Sequence, residues 1–437
     1  MVFTGTIQKL QVTPDRCFYH PCEEVRLLGS IEVTGRAAVE VELKIFRGVQ
    51  FVAGQSKSLD LRPGKNEFSF LWRPSDETPV GYGVEISVSE HAGTIPLASC
   101  QTAFDVLTDW TVFPRYGFLS DFSPARSNAD ATIAALNRFH INGLQFYDWL
   151  YRHDTLIPPQ DDFVDPLNRP LSLKSTKNLI AAAHHYGMTA MPYLAVYGAS
   201  IAFWRAHPQW DLYNEKGVPI DFADGYLGIM NPTRGLGWDA HLLAECSQVL
   251  DQLPFDGLHI DQYGDPKTGF SQTGAPVDMP RAFADFITAA AGQHPAVPVL
   301  FNAVGNWPIE TLAQTPVAFN YIEIWPPKIS YTDLAEIVTN AHTLSGGKPV
   351  VIALYLPAKR PIHNRLADAM IFSAGGTRIE LGETARLLSD PYFPKHEEMD
   401  EVLSETLRRQ LELLIRYEEW ISPLVEISAP PSLTVPQ

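Results

Sequence analysis

The chain is poor in cysteine and in charge. Four cysteines occur among 437 residues, Cys17, Cys22, Cys100 and Cys246, and no C-x-x-C pair is formed. That spacing excludes the usual structural zinc site and any disulfide scaffold. Cys17 and Cys22 are close enough in sequence to pair, but reduced thiols are the expectation for a chain of this size. Charged residues make up only 19%, and they are unbalanced: 33 Lys and Arg against 50 Asp and Glu, a formal charge of −17. Such a surface repels nucleic-acid backbones and anionic membranes, so neither is expected as a partner. No apolar run approaches the ~18 residues that a spanning helix needs. The opening MVFTGTIQKL has neither a basic n-region nor an apolar h-region, so no signal peptide is visible. A soluble chain is expected, secreted if a leader has been removed and cytoplasmic otherwise. Nucleotide-binding loops are missing, as is G-x-S-x-G.

Aromatic and apolar residues are plentiful. Hydrophobics reach 45% and aromatics 11%, with nine Trp and sixteen Tyr. Neutral sugars favour exposed aromatic faces, so this abundance is compatible with a carbohydrate ligand as well as with a large core. The 35 prolines point to stiff loops rather than disorder at this hydrophobic content.

Residues 1–108 read as all-β. The segments VRLLGSIEV, VEVELKIF, NEFSFLWR and YGVEISVSE alternate apolar and polar residues, with RPGK and PVGYG as turn signals. This pattern suggests an immunoglobulin-like sandwich. From Trp110 strands and helices alternate, giving eight strand-like segments: 116–122, 142–149, 189–198, 257–264, 298–305, 317–326, 349–357 and 377–383. Helical periodicity fills most intervals and ends in a long helix over 397–421. Eight such units in series, without a dinucleotide fingerprint, are most simply closed as a (β/α)8 TIM barrel over 109–422. Residues 423–437 make a tail too short for a domain.

The active site of such a barrel lies at the C-terminal ends of its strands. The second strand offers Tyr147, Asp148 and Trp149, followed by Tyr151, Arg152, His153 and Asp154. The fourth offers His259, Asp261, Gln262, Tyr263 and Asp265, the fifth Asn302, the sixth Glu323 and Trp325, and the eighth Glu380 and Glu383. Asp261 and Glu323 each end an otherwise apolar strand, where a carboxylate is costly without a task or partner. Two carboxylates flanking one bond are what glycoside hydrolysis requires. A lone acid at a strand end is more often a loop cap. Several acids and aromatics at one barrel mouth favour function. His259 and Asp261 share a strand face, so a metal pair is conceivable, but no third ligand is evident and no metal or other cofactor is expected. His184 and His185 lie on a helix and read as surface or packing residues.

The segments NGLQFYDWLYRHD (142–154), GLHIDQYGD (257–265), FNAVG (301–305) and YIEIWP (321–326) resemble glycoside hydrolase family 66. That family contains endo-dextranases and the transferases that make cyclic isomaltooligosaccharides. The resemblance covers essentially the whole chain. It implies an immunoglobulin-like domain, a (β/α)8 catalytic domain and a C-terminal β domain, the last largely absent here. It implies Asp261 as nucleophile and Glu323 as general acid/base, with Asp148 an important acid of the second motif. Tyr147, Trp149, His259, Gln262, Asn302 and Trp325 are the further expected substrate contacts. The family retains anomeric configuration, cuts α-1,6 links and uses no metal. Cyclising members carry a large carbohydrate-binding insertion after the seventh strand, whereas this chain has only YLPAKRPIHN (355–364). A dextranase-like hydrolase giving linear products from dextran or isomaltooligosaccharides is therefore expected. A transglycosylase, a hydrolase of another linkage and a non-catalytic sugar-binding protein are the alternatives. Oligomeric state is not legible.

Overall fold

The computed structural model describes residues 5–74, 79–90, 95–325, 330–392 and 394–421. Seven antiparallel strands come first: β1 (Ile7–Pro14), β2 (Val25–Val33), β3 (Ala37–Arg47), β4 (Gln50–Leu61), β5 (Gly64–Trp72), β6 (Val80–Glu90) and β7 (Pro96–Val106). They form two sheets, β1-β2-β5 and β4-β3-β6-β7. The alternation read in the sequence is the alternation of burial: every second residue of β2 and β3 faces inward. The inward faces share one apolar core that includes Val25, Ile31, Val41, Ile45, Val84 and Phe104.

Eight parallel strands follow: β8 (Tyr116–Leu119), β9 (Gly143–Phe146), β10 (Thr189–Ala195), β11 (Leu258–Asp261), β12 (Val299–Val304), β13 (Asn320–Glu323), β14 (Val350–Ala353) and β15 (Thr377–Ile379). Each pairs with the next in chain order. Just beyond β15, Gly382 pairs in parallel with Phe118 of β8, so the sheet curls back on its first strand. Strands such as β8, β9, β13 and β14 are buried at every position. That is why they read as unbroken apolar runs rather than alternating ones. The helices α1 (Ala129–Asn137), α2 (Leu173–His185), α3 (Trp238–Gln252), α4 (Met279–Gln293), α5 (Tyr331–Ser345), α6 (Pro361–Ser373) and α7 (Glu401–Arg416) cover the sheet. Start and stop signals are local. Asp400 accepts the Leu403 N–H to open α7, and Ser330 with Asp333 makes a capping box on α5.

Three expectations are corrected. PVGYG is not a turn but lies almost wholly in β6. Its glycines serve packing: a Cβ on Gly81 would stand 1.7 Å from the Ile415 carbonyl oxygen at the end of α7. The final helix begins at Glu401, not 397, because residues 386–390 and 395–397 form a hairpin paired with Leu381–Gly382. Between β12 and β13 a single turn, Ile309–Leu312, replaces a full helix. All four cysteines are free. Among the described residues no helix is long and apolar enough to cross a membrane.

The two cores are tied by Arg115. Its side chain is 1% exposed, and Nη1 and Nη2 donate to Asp105 at 2.6 and 3.1 Å. Nε donates to the His140 carbonyl oxygen, and Nη2 also reaches the Cys17 carbonyl oxygen at 3.3 Å. Helix α7 packs on β6 and β7, with Arg416 donating to Glu85 at 3.1 Å. Removing one partner of a buried pair leaves the other charge stranded. Arg115→Met is expected to destabilise the protein by about 3–5 kcal/mol. The control Arg281→Ala, in an exposed pair, should shift stability by no more than ~0.5 kcal/mol. Urea unfolding of both variants checks this, and equal losses would refute the assignment.

Candidate active site

Parallel register sets the site. It places Ala195 beside Asp261 across β10 and β11, and Val304 beside Glu323 across β12 and β13. Asp261 and Glu323 thus end strands separated by β12, and Asn302 of β12 lies between them. Its Nδ2 donates to Asp261 Oδ1 at 2.7 Å and to Glu323 Oε2 at 2.8 Å. Two oxygens so close to one nitrogen are at most about 5.5 Å apart, the sum of those distances. Asp261 Oδ1 also accepts the Gln262 N–H at 2.8 Å, and Glu323 Oε1 accepts the Tyr355 hydroxyl at 2.7 Å.

Burial pushes both carboxyls above their ordinary range. For Asp261 burial is joined by the Glu323 charge and opposed by the bonds from Asn302, the Gln262 N–H and Tyr193. For Glu323 burial is opposed by Tyr355 and Asn302. Two like charges this close and this dry do not both form easily, so the pair holds one proton to higher pH than a free carboxyl would.

The pair lines a recess of ≈ 30 Å³, room for one or two waters. The recess adjoins a cleft of ≈ 890 Å³, and the two share Tyr147, Tyr193, Tyr263, Trp325, Tyr355 and Tyr392 as walls. Tyr392 comes from the tip region of the 386–397 hairpin and packs 5.2 Å from Trp325. Beneath the pair lies a layer of buried rings. Tyr116 Oη meets His259 Nδ1 at 3.1 Å, and His259 packs 4.7 Å from Tyr321.

The expected contacts divide. Asp148, Tyr147, Asn302 and Trp325 line the cleft or the recess. Asp148 follows β9 with φ +54°, and burial lifts its carboxyl to about 6 although Arg169, 3.0 Å away, opposes that. Two others are corrected. Trp149 is fully buried against Phe255, its Nε1 donating to the Tyr193 carbonyl oxygen at 3.1 Å. His259 belongs to the layer below, and burial pushes its ring down to about 3, keeping it neutral. Gln262 borders the recess, but its amide is spent on the carbonyls of Asn302 and Trp307 and the Gly264 N–H. Its backbone N–H is what serves Asp261. Of the remaining acids, Glu380 pairs with Arg378, and Glu383 accepts two loop N–H groups and meets Arg126 at 2.7 Å.

Tyr193, Tyr355, Tyr392 and Arg169 were not anticipated. The first two sit in or just after the third and seventh strands, which the same strand-end rule would have reached. Tyr392 and Arg169 arrive on hairpins with no motif to mark them.

A family model described as glycosyl hydrolase family 66 matches residues 14–429. The chain belongs to glycosyl hydrolase family 66. This family 66 chain is 28% identical over 376 residues to a cycloisomaltooligosaccharide glucanotransferase of Niallia circulans, covering 79% of this chain and 38% of that protein. It is 24% identical over 419 residues to a dextranase of Streptococcus salivarius, covering 78% and 49% respectively. It thus spans two fifths to one half of the length of these relatives. In fold it matches the crystal structure of a Paenibacillus sp. cycloisomaltooligosaccharide glucanotransferase in complex with cycloisomaltoheptaose, with a TM-score of 0.86 at 22% identity. That match covers 95% of this chain and 81% of the other.

The Tyr355 hydroxyl favours ionised Glu323, so Tyr355→Phe must raise the Glu323 pKa further. If Glu323 acts as the acid, the alkaline limb of kcat/KM on a cleaved glucan moves to higher pH. A limb that stays or falls would place the acid elsewhere.

Proposed function

We propose that the protein is a retaining endo-hydrolase of α-1,6-glucosidic links, acting on dextran or isomaltooligosaccharides and releasing linear products. One observation carries the reading: a single amide holds the Asp261 and Glu323 carboxyls no more than about 5.5 Å apart at their nearest oxygens. Retaining glycosidases place their carboxyls about 5–5.5 Å apart, whereas inverting ones leave ~6.5–9.5 Å for a water. The same support favours an enzyme over a non-catalytic sugar-binding protein, since two buried acids sharing a donor are costly to keep without use.

Asp261, the less buried of the two, attacks the anomeric carbon as the carboxylate. Glu323, 8% exposed, gives a proton to the leaving oxygen and then takes one from the incoming water. Asn302 keeps the two apart. The aromatic walls give apolar faces for sugar rings, and Tyr147, Asp148 and Trp325 stand where substrate would touch them. The surrounding frame is read as an immunoglobulin-like sandwich over 1–108 and a (β/α)8 barrel over 109–422. The return pairing of Gly382 with Phe118 and the two-sheet order of the first seven strands support it. The tail assigned to 423–437 lies outside the described residues.

Linear products are favoured by the short link between β14 and α6, residues 354–360. The glucanotransferase names of relatives favour transfer to a sugar hydroxyl as a second reading. Mass spectrometry of a dextran digest separates them. Linear oligosaccharides are expected, and a dominant series lighter by one water would establish cyclisation.

Roles are tested with azide. Glu323→Gln lowers activity on dextran by roughly 10²–10⁴-fold. On an aryl α-glycoside it still forms the β-linked intermediate, which azide opens from the α face to give the α-glycosyl azide. Asp261→Asn cannot form that intermediate, and azide displacing the aglycone directly gives the β-azide. The same anomer from both variants, or full dextran activity in either, would show the roles to be misassigned.

A further inference from the structure

We infer that Arg169 is a positioning residue, holding Asp148 in place as an acceptor for the hydroxyls of a glucosyl unit in the cleft. The inference rests on the function proposed above and adds a device to it.

Asp148 lines the cleft but not the recess that holds the carboxyl pair. It stands directly after β9 in a left-handed conformation, φ +54°, which turns its carboxylate toward an element distant in sequence. That element is the hairpin Asp162–Val164 with Pro170–Ser172. Arg169 is fixed to the hairpin's own turn. Its Nε donates to Asp165 Oδ2 at 2.7 Å, and Asp165 Oδ1 takes the N–H groups of Leu167 and Arg169 at 3.0 and 2.7 Å. The Asp165 side chain is 2% exposed, so the anchor is dry. Nη2 lies 2.6 Å from Asp165 Oδ2 and also donates to Asp148 Oδ2 at 3.0 Å, so the guanidinium bridges the two carboxylates. Among the described residues no hydrogen bond engages Asp148 Oδ1. One oxygen is therefore anchored and the other is left for a ligand.

The neighbourhood suits a sugar hydroxyl. His153 lines the same cleft at 5% exposure, and its Nδ1 has no partner among the described residues. Burial pushes that ring down to about 4, so it faces the cleft neutral. The charged groups acting on Asp148 are Arg169 and Asp165 from the hairpin, while Tyr147, Tyr193, Tyr226 and Tyr263 from the surrounding strands and loops face its charge and are raised by it. Among the described residues Arg169 is the one cation with a hydrogen bond to the carboxylate. Without it, burial and Asp165 both favour the neutral acid. A neutral acid offers its own O–H in place of an acceptor.

The test is a double-mutant cycle on the full chain with dextran. Arg169→Gln should lower kcat/KM by roughly 10- to 100-fold, the scale for losing a charge-assisted contact. It should also move the acid limb of the pH profile upward. Arg169→Lys should recover part of both. With Asp148→Asn already present, Arg169→Gln should cost less than about 2-fold more, because a residue acting through another adds nothing once that other is gone. Additive losses, an unmoved acid limb, or a lysine variant no better than glutamine would overturn the inference and leave Arg169 as a fold contact. Should Arg169→Gln not fold, Arg169→Lys stands in: a shifted acid limb supports the role and a wild-type profile overturns it. Asp261→Asn is assayed alongside. Full activity there would bring down the functional reading whatever the Arg169 variants do.

Discussion

Asn302 is the point on which the site turns. One amide nitrogen donates to both carboxyls, and the parallel register of β11, β12 and β13 leaves that amide nowhere else to be. The arrangement solves a problem of electrostatics. Two carboxylates in a dry recess repel and resist ionisation. A neutral donor between them eases the charge on either without cancelling it, as a lysine would. The proton they share is then available for transfer rather than locked into an ion pair.

The surroundings follow from that arrangement. A recess with room for one or two waters keeps the local dielectric low, which strengthens every contact the pair makes. The buried layer of Tyr116, His259 and Tyr321 below it forms a polar but neutral floor. Across the cleft stands the charge of Asp148, which Arg169 compensates. Farther out, the buried Arg115–Asp105 pair joins the curled sheet to the seven-stranded part. Its cost is met by hydrogen bonds from three chain segments to one guanidinium.

How much could be read in advance differs by element. Strand positions were legible because burial on both faces writes a continuous apolar run and burial on one face an alternating one. The runs overshot: YGFLSDF extends to residue 122 but β8 ends at Leu119, and QFYDW runs past β9, which ends at Phe146. The excess residues belong to the loops that leave the strand ends: Asp121 is exposed, while Phe122 stacks on Phe146 in the core. Trp149 misled for the same reason. Adjacent to Asp148 in sequence, it turns the opposite way, since Asp148 adopts a left-handed conformation and the chain reverses there.

From the sequence alone came the parallel order of strands, the family resemblance, and Asp261 and Glu323 as the acids to watch. The strand order follows from period and spacing, the two acids from the cost of burying charge, and the resemblance from four short motifs, all local properties of the chain. The tertiary structure decided which side chains meet. The bridging of two acids by Asn302, the hold of Tyr355 on Glu323, the arrival of Tyr392 and Arg169 on separate hairpins, and the retreat of Trp149 and His259 into the core depend on register and loop path. Contacts between residues tens to hundreds of positions apart leave no period in the sequence. They are set by strand pairing and by the curl of the sheet, which bring strand ends from distant parts of the chain side by side.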